Sequence, residues 1–551
     1  MLAWTVYLSF LGAAALLVLK PGDARGARLI AMLTSAAGLL LALIGALQYD
    51  PAAGSMTVVD IPWVPQLGLR FQFAVDGISI TLLILTGLAA VVGVLFSWNI
   101  EHRPKEFFAF YLALIGGVYG VFLSFDLFLL FVFYELAIVP KYFLIAIWGS
   151  TRKEYGAMKL ALYSFVGSAM VLIGLIAAYV MAGAKSFNLV ELSKFDFPIA
   201  DQMWMFPLVF VGFAILAGMW PFHTWAPTGH VAAPTAASML LAGVIMKLGA
   251  YGCLRVAMVL FPRGLEAWSV ESYAPSFLVS LFKHSLIENI QWALHLIGFG
   301  SWRDVFGLLA VIGIVYGAMV ALVQKDFKFV IGYSSVSHMG FVLLGLMTLS
   351  TIGLSGAVLQ MFSHGVIAGL LFAVVGRMVY DRTHTRALDE LEGMRLNKAL
   401  PFAAVTFVVA GLASMGMPGF SGFVAEMQVL IGAWTAFPTF AVLAGAGILV
   451  GVAYTLRAVQ KAFYPESAET VRAVVAEVPI GPAFSLHSTK GGSDPVANPG
   501  DHEPITIPER IGAALLIAAT VLIGLQPRLL LDLIVPAIQS PLFDGLRKVA
   551  G

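Results

Sequence analysis

The sequence predicts an all-α polytopic membrane protein of about 14 transmembrane helices, on two facts of composition and one of pattern. Of 551 residues, 60% are hydrophobic and only 11% charged, with a mean hydropathy of +0.91. A soluble domain carries about 25% charged residues, so this chain could not cover itself with polar surface in water. Apolar runs of about 20 residues recur along it, the length a helix needs to cross a bilayer with its backbone satisfied. Soluble enzymes, nucleic-acid binders and disordered chains are excluded on the same grounds.

In order, the runs lie near 2–19, 29–48, 77–98, 107–124, 126–149, 158–183, 203–220, 230–257, 303–324, 328–348, 354–379, 401–435 (bent), 438–464 and 510–528. No positive charge precedes the first run, whereas Lys20, Arg25 and Arg28 follow it, so it reads as a retained span rather than a signal peptide. One set of connections is basic, with Lys20, Arg25, Arg28, Arg103, Lys105, Arg152, Lys153, Lys325, Lys328, Arg377, Arg382, Arg386, Arg395, Lys398, Lys461, Lys490 and Arg510. The opposite set has only Arg70, Lys185, Lys194, Arg263, Lys283, Arg303 and, in the tail, Arg528, Arg547 and Lys548. The positive-inside rule puts the first set in the cytoplasm and both termini outside.

Two stretches are not spans. Residues 262–302 form an outside connection with Trp268, Trp292 and Trp302 and an apolar-periodic piece from Phe277 to Ile297, read as an interfacial helix or a partner contact. Residues 465–509, rich in Pro, Ser, Gly and Glu, read as a cytoplasmic loop. Cys253 is the sole cysteine, which excludes a disulfide framework and a cysteine-ligated iron–sulfur cluster on this chain. Leu216-Ala-Gly-Met-Trp-Pro221-Phe echoes Leu412-Ala-Ser-Met-Gly-Met-Pro418-Gly-Phe, and Leu241-Ala-Gly243 echoes Leu443-Ala-Gly445. The echo shifts by five spans, an odd number, so the repeats are inverted; proline-broken helices in inverted repeats are a transporter architecture.

An ionisable group near the bilayer centre costs roughly 2.5–3.5 kcal/mol on insertion scales, so each one needs a reason. Glu135 and Lys247 lie mid-span, His338 and His364 fall in the tenth and eleventh spans, and Glu426 follows the break at Pro418. His223 and His230 flank the break in the seventh span. Carboxylate, amine and imidazole joined by water can pass protons without metal or redox chemistry. Each also has a structural reading. Glu135 and Lys247 could be paired to each other, an arrangement apolar residues would replace at lower cost. His223 and His230 could bond freed carbonyls, and Lys141 could snorkel to the interface. A zinc site from the four histidines lacks the short ligand spacings of zinc motifs.

Four stretches together resemble a known family: Phe-Tyr-Glu135-Leu-Ala-Ile-Val-Pro-Lys-Tyr-Phe-Leu-Ile-Ala-Ile-Trp-Gly149, Pro221-Phe-His-Thr-Trp-Ala-Pro-Thr-Gly-His230-Val-Ala-Ala-Pro-Thr235, Ile331-Gly-Tyr-Ser-Ser-Val-Ser-His338-Met-Gly and Met417-Pro-Gly-Phe-Ser-Gly-Phe-Val-Ala-Glu426. They are similar to the M-type antiporter-like subunit of bacterial proton-pumping NADH:quinone oxidoreductase, respiratory complex I, within a superfamily that includes Mrp antiporters and membrane-bound hydrogenases. The short tail favours the M-type over the L-type. The resemblance implies two inverted five-helix repeats, with helices 7 and 12 broken. The chain then divides as 1–106 (helices 1–3), 107–257 (first repeat, helices 4–8), 258–302 (outside insertion), 303–464 (second repeat, helices 9–13), 465–509 (cytoplasmic loop) and 510–551 (helix 14 and a short tail).

By match to the motifs, proton transfer falls to Glu135, Lys247, His338, His364 and Glu426, with Lys141, His223, His230 and Lys328 as secondary candidates. The resemblance further implies a bacterial inner membrane and partner L-type and N-type antiporter-like subunits. No cofactor is implied on this chain; flavin, iron–sulfur clusters and quinone belong to other subunits. One departure stands out. Where the family has a seventh-span lysine, this sequence has Leu216. Lys141 is the candidate replacement, although six residues along a helix mean about 9 Å of rise and about 240° of rotation from Glu135. The alternatives to a pumping complex I subunit are a D-type Mrp sodium/proton antiporter subunit, a membrane-bound hydrogenase subunit, or a scaffold that does not pump.

Overall fold

The computed structural model describes residues 1–20, 22–265, 299–465 and 502–550. The apolar-periodic piece from Phe277 to Ile297 and most of residues 465–509 lie outside the described residues. Among the described residues, twelve helices are long and apolar enough to cross a membrane, and they coincide with twelve of the sequence runs. The two other runs differ. The first is a 15-residue helix, Trp4–Val18, about 22 Å long at 1.5 Å per residue. The run at 401–435 is two pieces, Pro401–Ser414 and Ser421–Ala436, each too short alone. Spans are numbered below as in the sequence.

Spans eight (Thr235–Met258) and eleven (Thr351–Thr383) are buried along their whole apolar length, so they form the axis of the bundle. Spans two, thirteen and fourteen present mostly exposed apolar faces, as lipid-facing helices do. Spans five and ten begin alike. The Asp126 carboxylate accepts from Leu129 N, and that of Asp326 accepts from Lys328 N and Phe329 N, each satisfying first-turn donors. Beside them, Leu127 N donates to Phe187 O and Leu189 N to Phe125 O at 2.9 and 2.8 Å. In the other half Phe327 N donates to Arg386 O and Leu388 N to Lys325 O, at 2.8 and 2.9 Å.

Both broken spans stop the same way. Gly218 (φ +82°) and Gly416 (φ +71°) adopt the left-handed conformation that ends a helix, while Met219 N reaches back to Ala214 O and Met417 N to Leu412 O. These equivalences register Gly218 with Gly416, which moves the sequence echo by two residues and sets Leu216 opposite Ser414. The seventh span resumes as Trp225–Ala232, so His223 lies inside the interruption, in the turn Phe222–Thr224, and His230 on the helix beyond it; the two do not flank the break.

Two features were not read from the sequence. Met56–Val64 and Leu69–Val75 form an antiparallel hairpin, closed at Gly68 (φ +66°) where a Cβ would fall 1.8 Å from Lys185 O. After span fourteen (Ile507–Leu525), an 11-residue helix, Arg528–Ile538, bends by 59° into Pro541–Val549. Its backbone presses on the start of span three (Gly77–Phe96): a Cβ on Gly77 would stand 1.8 Å from Leu533 O. Backbone cannot give way as a side-chain tip can, so Gly77→Val should dislodge the tail helix, read as new protease cleavage between Arg528 and Ile538.

Candidate functional site

In span eight, π-helical turns at Leu241–Ile245 and Cys253–Met258 bracket Lys247. Such turns free carbonyls from the usual ladder and gather at functional sites. The fully buried Lys247 ammonium donates to one of them, Ala242 O, five residues back. Its other partner is on span eleven: His364 Nδ1, 2.8 Å away. When Lys247 carries its proton the ammonium can only donate, so Nδ1 then accepts and the ring proton sits on Nε2, which makes no hydrogen bond to protein.

The His364 ring stacks on that of His338 from span ten (Phe327–Met347), with centroids 5.5 Å apart and planes 28° from parallel. His338 continues the line. Its Nδ1 lies 3.0 Å from Glu426 Oε1, and its Nε2 lies 3.2 Å from Ser414 Oγ at the twelfth-span break. Gln360 Nε2 also donates to Glu426 Oε1, at 3.2 Å. Four predicted residues from spans eight, eleven, ten and twelve thus form one file, Lys247–His364–His338–Glu426, joined by hydrogen-bond distances at its two outer steps and by ring stacking at the middle one. A hydroxyl row adjoins it: Ser363 Oγ to Ser421 Oγ at 2.7 Å, then to Thr520 Oγ1 at 2.9 Å.

The secondary candidates divide. Lys328 is buried and donates to Ala233 O at 2.7 Å, taking the carbonyl freed where the seventh span ends. The fully buried His230 packs its ring 5.2 Å from Phe372, and neither of its ring nitrogens bonds protein. It therefore does not cap freed carbonyls. Ser238 does, donating to His230 O at 2.7 Å and to Ala233 O at 3.2 Å. His223 stays beside the Pro221 backbone and meets Tyr316 edge to face at 5.2 Å.

In the first half, Glu135 is half-buried on span five (Leu127–Trp148), beside Ser168 of span six (Lys153–Met181). Glu135 and Lys247 face different neighbours, so they are not each other's partners. Lys141 is 2% exposed and donates to Ser164 Oγ at 3.1 Å. It does not snorkel. Leu216 is buried with its backbone against Gly249, two residues past Lys247.

Sequence reasoning missed a second buried charge site. Arg255 Nη2 lies 2.5 Å from Asp76 Oδ2, both groups nearly inaccessible, with the rings of Phe125, Tyr251 and Phe543 5.3, 5.3 and 5.7 Å from the guanidinium carbon. It missed a third as well. Glu509 of span fourteen takes Arg377 at 2.7 Å and Arg382 at 2.8 Å, both from span eleven.

A bundle with two interrupted helices around a buried file of titratable groups has the build of an ion-translocating membrane protein. A family model described as NADH:quinone oxidoreductase/Mrp antiporter, TM, matches residues 124–291 and 264–451. The chain is 34% identical to NADH-quinone oxidoreductase subunit M of Rhodobacter capsulatus, over 98% of this chain and 95% of that protein. It is 36% identical to an NAD(P)H-quinone oxidoreductase chain 4 of Synechococcus, over 77% of this chain and 75% of the relative. Its fold superposes on a chain of respiratory complex I from Thermus thermophilus with bound NADH at a TM-score of 0.80, with 26% identity and full coverage of both. A chain of the Mrp complex from Dietzia shares the fold at a TM-score of 0.76 and 21% identity, over 100% of this chain and 99% of that one. The chain belongs to the NADH:quinone oxidoreductase/Mrp antiporter membrane-subunit family.

Proposed function

We propose that this chain is a proton-translocating membrane subunit of an NADH:quinone oxidoreductase, moving protons through its buried file while quinone reduction proceeds in other subunits. The observation that carries the reading is the continuity of Lys247, His364, His338 and Glu426 from the bundle axis to the twelfth-span break. Each group's charge sets its neighbour's proton affinity, so a push at one end moves a proton at the other. Lys328 and His230 supply the approach from the end where spans eight and ten meet. Isolated buried charges would be discarded if they did nothing, since apolar residues pack there at lower cost.

Flavin, iron–sulfur clusters and quinone are assigned to partner subunits, and the neighbours in the membrane to L-type and N-type antiporter-like subunits. The matching starts of spans five and ten, and the matching breaks in spans seven and twelve, support inverted repeats over 107–257 and 303–464. The asymmetry of basic loops supports an inner (plasma) membrane protein with both termini outside. An Mrp-type antiporter subunit is the second reading, carried by the shared fold at lower identity; neighbouring genes for redox subunits or for small antiporter subunits separate the two.

The test is Lys247→Met in the complex reconstituted into vesicles, with protons translocated per NADH oxidised as the readout. Methionine fills the same volume without a proton. Loss of this chain's share of pumping supports the reading, and an unchanged ratio refutes it in favour of a scaffold.

A further inference from the structure

The second half lines its break with chemistry: Ser414, His338 and Glu426 meet there. The first half has Leu216 at the position registered with Ser414. Spans five and six nonetheless hold two ionisable groups on one seam. Lys141 bonds Ser164, and Glu135 lies beside Ser168, one helical turn further along the same face of span six. Glu135 Oε1 is buried with no hydrogen bond to protein.

The seam lies at the depth of the seventh-span break. In span six, a Cβ on Gly167 would meet Gly212 O and the Ile215 Cβ, while Leu160 meets Gly229 beyond the break. Ser164 sits between those two contacts, so the Lys141 ammonium stands level with the Gly218–Thr224 interruption. A rival cation, Lys159, is partly exposed and reaches Thr228 Oγ1 at 3.4 Å, past the break.

We infer that the first half keeps its exchangeable charge on the seam between spans five and six, with Lys141 as the cation that trades a proton with Glu135 along the Ser164 and Ser168 hydroxyls. The Lys141 ammonium gives its proton to the Ser164 oxygen while the Ser164 hydroxyl proton moves on, by Ser168 and water, to the Glu135 carboxylate. A neutral amine and a carboxylic acid result, and the reverse transfer restores both charges. The inference rests on the proton-translocating reading above, and it assigns to span five a cation that the seventh span lacks.

The experiment compares Lys141→Met, Lys141→Arg, Lys159→Met and Lys247→Met in the whole complex, with assembly checked by native electrophoresis and pumping read as protons per NADH in vesicles. Lys141→Met should lose as large a fraction of pumping as Lys247→Met. Lys141→Met/Leu216→Lys, which returns a cation to the break, should regain at least half of that loss. Lys141→Arg should lose pumping as well, because a guanidinium cannot release its proton, whereas a structural lysine predicts that Lys141→Met pumps normally. Normal pumping by Lys141→Met with loss in Lys247→Met overturns this inference alone, as does loss in Lys159→Met instead. Normal pumping in both Lys141→Met and Lys247→Met overturns the parent reading.

Discussion

Asp76→Asn should destabilise the protein by about 3–5 kcal/mol, the usual penalty for stranding one member of a buried ion pair. Asparagine keeps the cap on span three, where Asp76 Oδ1 accepts from Ser79 N at 2.9 Å, so the change isolates the charge. What remains is a guanidinium 1% exposed, held by a hydrogen bond with the Tyr251 side chain and by the faces of Phe125, Tyr251 and Phe543. A ring face returns about 2 kcal/mol in a desolvated site, less than the penalty for stranding the charge. The double variant Asp76→Asn/Arg255→Met should recover most of the loss, because an apolar residue of similar length needs no counter-charge. Unfolding of the purified protein, followed with increasing denaturing detergent, checks both outcomes. If Asp76→Asn is as stable as the parent, the pair contributes nothing to the fold.

The spans were legible because lipid imposes a length and a composition, and positions 77–98 or 303–324 could be read from apolar content alone. The file's members were legible for the complementary reason, since a charge in such a run is conspicuous. Their connections were not. Lys247 and His364 are 117 residues apart, and no local pattern pairs them. Arg255 was hidden inside an apolar run and Asp76 at the edge of another, so neither drew notice until the fold brought them together. Arg377 and Arg382 read as loop cations because hydropathy falls before span eleven ends, whereas the helix carries them on to Glu509. The π-helical turns around Lys247, Leu241–Ile245 and Cys253–Met258, left no trace in the apolar run. Lys141 was misjudged from its flanks: nearness to the helix end suggested the interface, but its side chain turns inward to Ser164.

Glu426→Gln should abolish this chain's pumping while leaving its stability within about 1 kcal/mol of the parent. Glutamine has the same shape and still accepts from Gln360 through its amide oxygen, so the net change in hydrogen bonding is about the size of one ordinary bond. What disappears is a group that can hold a proton. His338 then has Ser414 and a neutral amide as neighbours, and a charge arriving from Lys247 through His364 meets no acceptor at the twelfth-span break. A file of coupled sites works only while every member can change protonation state, so removing its end should cost as much pumping as removing its start. Combining Glu426→Gln with Lys247→Met should therefore add no further loss. Proton uptake by vesicles carrying each single variant and the double variant measures this directly, and a loss that doubles in the combination would mean that the two residues serve separate paths.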